Sequence, residues 1–176
     1  GNLFAPISPA IRNFPVVIVV HHAPAVVRPG TITRGHCAPP PVGPRLKMRR
    51  QRKLFLNGFE EYLLADDQPG YRKTFAMDLT LQGEVDREAF EVGVRTALER
   101  HPLLSSRVRR RGWLRPRWIR ALDIPPPIHW SSLGDTFPAD AEQGIDLTRE
   151  IGVRFYVQVG RGASRVVILV HHTCCD

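Results

Sequence analysis

The residues best suited to chemistry lie together at the end of this 176-residue sequence. In VVILVHHTCCD, an apolar run leads into His171 and His172, followed by Cys174, Cys175 and Asp176. An imidazole titrates close to neutral pH and can therefore remove a proton from a hydroxyl, an amine or a thiol. The segment is a candidate for general-base chemistry.

Three other interpretations of these residues remain open. All five side chains are possible Zn²⁺ ligands, although zinc ligands usually come in spaced pairs and contiguous ones converge poorly on one tetrahedral ion. One of the two cysteines could be a nucleophile that a histidine activates. The simplest interpretation makes all of them loop residues after a core strand.

A β-hairpin is predicted to position the histidines. Its strands cover residues 153–159 and 165–170, and its turn lies at 160–163. Successive side chains of a strand point to opposite faces. Only one of His171 and His172 can therefore face a given pocket.

A short helix and a strand are predicted after residue 54. The helix, in NGFEEYLLADD, has Phe59, Tyr62 and Leu63 on one apolar face. The strand, in TFAMDLTLQG, alternates apolar with other side chains, as strands with one buried face do. The side chains predicted to be buried are Phe75, Met77, Leu79 and Leu81.

The clearest element is a helix in VDREAFEVGVRTALERHP. Asp86 can cap its first turn, and His101 precedes Pro102, which disfavours helical geometry before it. Two strands joined at Gly112 follow, and then a long connection without assigned structure. The order of elements predicts an α/β fold with a mixed, mostly antiparallel sheet.

The pattern His-His-x-x-x-Asp after an apolar strand resembles the active-site motif of the condensation-domain and chloramphenicol-acetyltransferase-like acyltransferases. The resemblance extends to the strand that ends at Gly83, the helix start VDREAF, the segment ERHPLL, and IDLTREIGVRFYVQV, and so covers residues 59–176. It implies that residues 54–176 are the N-terminal lobe of such a fold, a two-layer α/β sandwich.

The resemblance also implies roles for the terminal residues. His172 is the expected general base, His171 supports the fold, and Asp176 holds the loop through a salt bridge to an arginine. Ser105 occupies the place where the family commonly carries that arginine, so Arg107 is the expected substitute. The two cysteines fill variable positions of the motif and have no expected catalytic role.

The substrates follow from the same resemblance. The co-substrate would be an acyl thioester of coenzyme A or of a phosphopantetheine carrier protein, and the acceptor a hydroxyl or an amine. No permanently bound cofactor and no metal are expected. The family's active site lies between two lobes, and the second lobe is absent from this sequence, so the chain alone is expected to be inactive.

Residues 1–53 differ in composition from the rest. They hold nine Lys and Arg residues, no Asp or Glu, and nine of the sixteen prolines, while residues 54–176 carry 16 basic and 17 acidic residues. We expect a largely disordered or irregular leader. The stretch could precede a true start at Met48. Three cysteines without a disulfide framework favour a reducing cytoplasm.

Two further stretches could be mistaken for sites. VVIVVHHAPAVV contains His21 and His22 but has Val26 where the motif requires aspartate. RVRRRGWLRPRWIR interleaves seven arginines with Trp113 and Trp118, a pattern that fits a nucleic-acid-binding module as well as a solvated strand face. The neutral composition of residues 54–176 favours the solvated face. Nucleic-acid binding is the alternative function, and zinc binding ranks third.

Overall fold

The computed structural model describes residues 17–21, 54–121 and 124–175, and of residues 17–21 only the backbone. The elements in chain order are β1 Val17–His21, β2 Leu54–Phe55, α1 Gly58–Ala65, β3 Thr74–Gln82, α2 Arg87–Arg100, β4 Ser106–Arg111, β5 Leu114–Arg120, β6 Ile128–Ser132, β7 Val153–Gly160 and β8 Ala163–His171. Short 3₁₀ turns cover Ala139–Glu142 and His172–Cys174. No helix in these ranges is long and apolar enough to cross a membrane.

The strands form two sheets. The larger has the order β1-β3-β8-β7-β6, in which β8 is antiparallel to both neighbours while the outer pairs β1–β3 and β6–β7 are parallel. The smaller sheet, β2-β5-β4, is antiparallel. The predicted α/β fold with a mixed, mostly antiparallel sheet is therefore confirmed.

Each face of the larger sheet has its own core. On one face, Val94 and Leu98 of α2 pack against Phe155 and Val170. On the other, Val108 and Trp118 of the smaller sheet pack with Leu169, which lies on β8. The central strands are thus covered on both sides, which explains why β8 reads as an almost continuous apolar run.

Helix α2 and the hairpin form where they were predicted. Asp86 caps α2 by accepting the main-chain N–H of Ala89 at 2.7 Å, and His101 follows the last helical residue. Strand β7 ends one residue later than predicted. Strand β8 begins two residues earlier and ends one residue later than predicted. Gly112 adopts a positive φ of 53° in the turn between β4 and β5, as the prediction of a turn there requires.

The predicted buried face of β3 was wrong in the first half of the strand and correct in the second, where Leu79 and Leu81 are half buried and Thr80 and Gln82 are exposed. Thr74, Ala76 and Asp78 are the buried residues, while the apolar side chains between them are only half buried. Met77, Leu79 and Leu81 line an apolar cleft of about 420 Å³ between α2 and the sheet. A single helix is too narrow to cover the sheet, so the more apolar face of β3 stays partly open.

The predicted apolar face of α1 was also wrong. Leu63 is buried, but Phe59 and Tyr62 are 54% and 59% exposed and stack on each other with ring centroids 6.4 Å apart. The helix begins at a capping box between Asn57 and Glu60, and Leu64 is the residue that joins Leu63 in facing the interior. The face of α1 that packs against the interior is therefore not the face predicted from the spacing of its apolar residues.

Three strands were not predicted: β1, the two-residue β2 and β6. β6 lies in the long connection and pairs with β7 in parallel. β1 lies within the leader and pairs with β3 in parallel, with Val17 opposite Ala76. Residues 1–16 and 22–53 lie outside the described residues, so the disordered leader and its boundary at residue 53 stay a prediction.

The strands β3 and β8 are joined by a buried ion pair that offers a stability test. Arg165 donates from Nε and Nη2 to the two oxygens of Asp78, at 2.9 and 2.5 Å. Asp78→Ala leaves the guanidinium buried without its carboxylate and should lower the free energy of unfolding by about 3–5 kcal/mol. Urea denaturation measures the change.

The matched control is Arg149→Ala, which breaks an ion pair with Asp146 between two exposed side chains. This change should stay within about 1 kcal/mol because solvent screens such pairs. Equal losses in the two variants would contradict the importance given to the Asp78–Arg165 pair.

Candidate functional site

The two adjacent histidines have opposite environments. His171 is the last residue of β8 and is 0% exposed, whereas His172 begins the 3₁₀ turn and is exposed. The alternation of side chains along a strand accounts for the difference. One imidazole is therefore part of the interior, and the other is accessible to a substrate.

His171 is held at three points. Its main-chain N–H donates to the carbonyl of Gly152 at 3.0 Å. Its Nδ1 accepts the N–H of Thr173 at 3.2 Å and so caps the 3₁₀ turn. Its Nε2 lies 3.6 Å from Oδ2 of Asp67. These contacts fit the supporting role predicted for this residue.

His172 is fixed through its backbone and not through its ring. Its main-chain N–H donates to the carbonyl of Lys73 at 2.7 Å. Its ring makes an edge contact with Phe75, with centroids 5.8 Å apart. The side chain of His172 is therefore exposed, while its backbone is held by a hydrogen bond.

Cys174 is packed into the interior of the loop. It is buried, and a Cβ at Gly152 would overlap its Sγ, so only glycine fits opposite it. Burial, with smaller contributions from Cys175 and Glu60, raises the pKa of the Cys174 thiol well above its ordinary range. A protonated, enclosed thiol is a poor nucleophile. Cys175 is half buried, and its Sγ lies 3.8 Å from the carbonyl of His171.

A metal site at the terminal cluster has no support from the geometry. Within residues 54–121 and 124–175, no three His, Cys, Asp or Glu side chains come together in a way that could hold a metal ion. Asp176, the predicted brace of the loop, lies outside the described residues, and so does His22 of the earlier pair. The salt bridge between Asp176 and an arginine stays a prediction.

Arg107 and Arg120 lie on the paired strands β4 and β5. Arg107, the predicted partner, is half exposed and donates from Nη1 to the carbonyl of Arg149 at 3.4 Å. Arg120 donates from Nη2 to the hydroxyl of Ser105 at 3.3 Å, and its buried Nε has no hydrogen-bond partner among the described residues. The guanidinium of Arg120 thus lies beside the residue that stands where the family carries its arginine.

The tryptophans of the arginine-rich hairpin do not form a stacking platform. Trp118 is buried, and its Nε1 donates to Glu60 at 3.2 Å. Only Trp113, at 93% exposure, is available to a ligand. Arg109, Arg110 and Arg111 are exposed beside it, as a solvated strand face predicts.

Sequence reasoning missed two residues that shape the site. Asp67 lies beside the ring of His171. The carbonyl of Gly152 accepts the main-chain N–H of His171, and the lack of a side chain at Gly152 leaves room for Cys174. A weak signal exists for Asp67, because it precedes the Pro-Gly turn in DDQPGYRK and acidic residues commonly pair at such turns. Gly152 carries no comparable signal.

The buried thiol gives a direct test of the loop. A variant with Cys37 and Cys175 changed to Ser keeps Cys174 alone, and its alkylation at pH 8 should be at least about ten times slower in the native than in the urea-unfolded chain. The matched variant that keeps Cys175 alone should show a smaller ratio. Equal native and unfolded rates for Cys174 would contradict its position in the interior.

Comparison with known proteins identifies the fold. No family model matches the sequence, and no curated protein matches it significantly. Among solved structures, the X-domain from teicoplanin biosynthesis is similar over 72% of this chain and 29% of its own, with 18% identity and a TM-score of 0.57. The starter condensation domain of the rhizomide synthetase is similar over 71% and 33%, with 15% identity and a TM-score of 0.57.

Polyketide synthase associated protein 5 from Mycobacterium tuberculosis is similar over 71% of this chain and 28% of its own, with 21% identity and a TM-score of 0.50. The chain thus spans no more than about a third of the length of the structures that it matches. At these identities the likeness concerns the fold. The chain has a fold similar to part of these condensation domains, which confirms the fold that the sequence resemblance implied.

Proposed function

We propose that this chain is the N-terminal lobe of an acyltransferase in which His172 is the general base. The observation that carries the proposal is the contrast within the histidine pair. His171 is fully buried and bonded, while His172 is exposed with its backbone fixed at 2.7 Å from Lys73. A condensation-type fold is the context in which the family resemblance gives the second histidine this role.

The proposed reaction transfers an acyl group from a thioester to a hydroxyl or an amine. The imidazole of His172 takes the proton of the acceptor while the acceptor's oxygen or nitrogen attacks the thioester carbonyl carbon. The carbon–sulfur bond then breaks, and the leaving thiolate takes the proton from the imidazolium. The histidine ends the cycle neutral, as a base that assists both steps should.

The proposed donor is an acyl thioester of coenzyme A or of a carrier protein. A starter condensation domain of the rhizomide synthetase was solved in complex with C8-CoA. It is similar to 69% of this chain and to 31% of its own length. That ligand belongs to the other protein, and its thioester chemistry is what supports the proposal here. The acceptor and its partner lobe would complete the site from the opposite side.

Asp176 is proposed to hold the histidine loop through a salt bridge, with Arg107 as its partner. Arg120 is the competing partner, because its Nε is buried and unpaired among the described residues while its Nη2 contacts Ser105. An unpaired buried guanidinium nitrogen is costly, and a carboxylate would satisfy it. The pairing would fix the loop without touching the substrate.

The test uses a protein that joins this lobe to the remainder of a condensation-type fold. His172→Ala should lower kcat for acyl transfer by about 10²–10⁴-fold, which is the usual contribution of a general base. Turnover with a thioester donor is followed by release of the free thiol. Circular dichroism checks that the variant is folded.

The matched control is His101→Ala, which changes an exposed histidine at the end of α2. It should leave kcat within about twofold of the parent, since surface changes away from the site have small effects. Full activity of His172→Ala would sink the proposed role. The 176-residue chain by itself should show no turnover, because positioning of donor and acceptor needs both walls of the site.

A further inference from the structure

Asp67 lies in the loop between α1 and β3, where its carboxylate approaches His171 and accepts a hydrogen bond from Lys73. Its side chain is 11% exposed. Its Oδ1 accepts the main-chain N–H of Lys73 at 2.8 Å. Its Oδ2 lies 3.6 Å from Nε2 of His171 and 3.6 Å from Nη1 of Arg72. Within the described ranges, no second acidic side chain forms an ion pair with either histidine.

A tight turn between Asp67 and Lys73 brings these two residues into contact. Gln68 and Tyr71 form an isolated bridge, with the N–H of Tyr71 donating to the carbonyl of Gln68 at 2.9 Å. Gly70 adopts a φ of 90°, which a residue with a side chain rarely does. Pro69 and Gly70 are the residues that a tight turn of this kind favours. The turn therefore fixes the distance between Asp67 and the start of β3.

The hydrogen bonds of His171 determine where its ring proton lies. Nδ1 accepts from Thr173 and therefore carries no proton in the neutral ring. The proton is on Nε2, which is buried and has no hydrogen-bond partner within the described part of the chain. The carboxylate of Asp67 is the acceptor that faces it, 3.6 Å away. A small inward shift or a bridging water would complete the bond.

Lys73 connects the same carboxylate to the second histidine. Its N–H donates to Asp67, and its carbonyl accepts the N–H of His172 at 2.7 Å. One peptide segment thus separates the aspartate from the backbone of the exposed histidine. A displacement of Asp67 would act on His171 through the ring and on His172 through Lys73.

The charge of Asp67 suits this position. Burial alone would raise the pKa of its carboxyl, but the nearby imidazole of His171, the main-chain N–H of Lys73 and the guanidinium of Arg72 favour the ionised form and lower it. The group is therefore an ionised acceptor at neutral pH. Its neighbour Asp66 points elsewhere and pairs with the ammonium of Lys73 at 2.5 Å.

We propose that Asp67 is a positioning residue that sets the tautomer of His171 and the backbone position of His172. It acts through His171 and Lys73 and does not touch the substrate. The consequence for catalysis rests on the proposed function of His172. The structural part of the proposal stands on the 176-residue chain itself and can be tested without any turnover.

The first measurement uses the unchanged chain and needs no variant. Long-range proton–nitrogen correlation NMR of the histidine rings should show His171 as the neutral tautomer with its proton on Nε2. A proton on Nδ1 would remove the acceptor of the Thr173 N–H and overturn the proposal.

The second measurement compares Asp67→Asn with a control, Glu99→Gln, which neutralises an exposed carboxylate on α2. If the oxygen of the new amide keeps the bond to Lys73, its NH₂ group presents a donor to the Nε2–H of His171. The ring signals of His171 should therefore shift, and the main-chain N–H of His172 should exchange about tenfold faster or more, which corresponds to loss of about one hydrogen bond. Glu99→Gln should leave both signals close to those of the parent.

The outcomes separate this proposal from the function. Equal His171 signals and equal His172 exchange in Asp67→Asn and Glu99→Gln overturn the positioning role, whatever the activity of His172. If the shifts occur and kcat of the two-lobed protein falls with KM little changed, both proposals stand. If the shifts occur in a protein in which His172→Ala is fully active, the positioning of the pair stands and the catalytic function fails.

Discussion

The position of the histidine pair depends on the pairing of β8 between β3 and β7. β8 is paired along both edges, from His171 opposite Thr74 to Ala163 opposite Gln82 on one side, and from Val170 opposite Val153 to Ala163 opposite Gly160 on the other. A slip of one residue would exchange the two faces of the strand. The register therefore determines which histidine enters the interior and where the chain leaves the sheet.

Hydrogen bonds and packing at the end of β8 hold the loop that follows the strand in one conformation. The carbonyls of Gly152 and Lys73, on opposite sides of the strand end, accept the N–H groups of His171 and His172. The ring of His171 then caps the turn that follows, and Cys174 packs over Gly152. Backbone bonds thus hold His172 while its imidazole stays exposed to solvent.

Local signals predicted some elements well and could not predict others. Asp86 and the His101-Pro102 pair mark α2 because capping and proline sterics act within one turn, and the hairpin follows from two apolar segments on either side of a glycine turn. β6 was missed because its partner β7 is more than twenty residues away and its residues are only half buried.

The candidate site divides in the same way. The sequence resemblance pointed to His172, since a short motif carries it. Asp67 and Gly152 could not be recognised, because their importance arises from approaches to His171 and Cys174 across long stretches of chain. The exposed ring of Phe59 and the half-buried apolar face of β3 show the same limit. Periodicity predicts which side chains share a face of an element, but not which other element covers that face.

The central claim is that the backbone of His172 is fixed while its side chain is exposed. Residue-resolved hydrogen exchange of the unchanged 176-residue chain tests it most directly. The account predicts that the amide of His172 exchanges nearly as slowly as that of Leu169 in the middle of β8. Exchange of the His172 amide at the rate of an unstructured peptide, with Leu169 still protected, would contradict it.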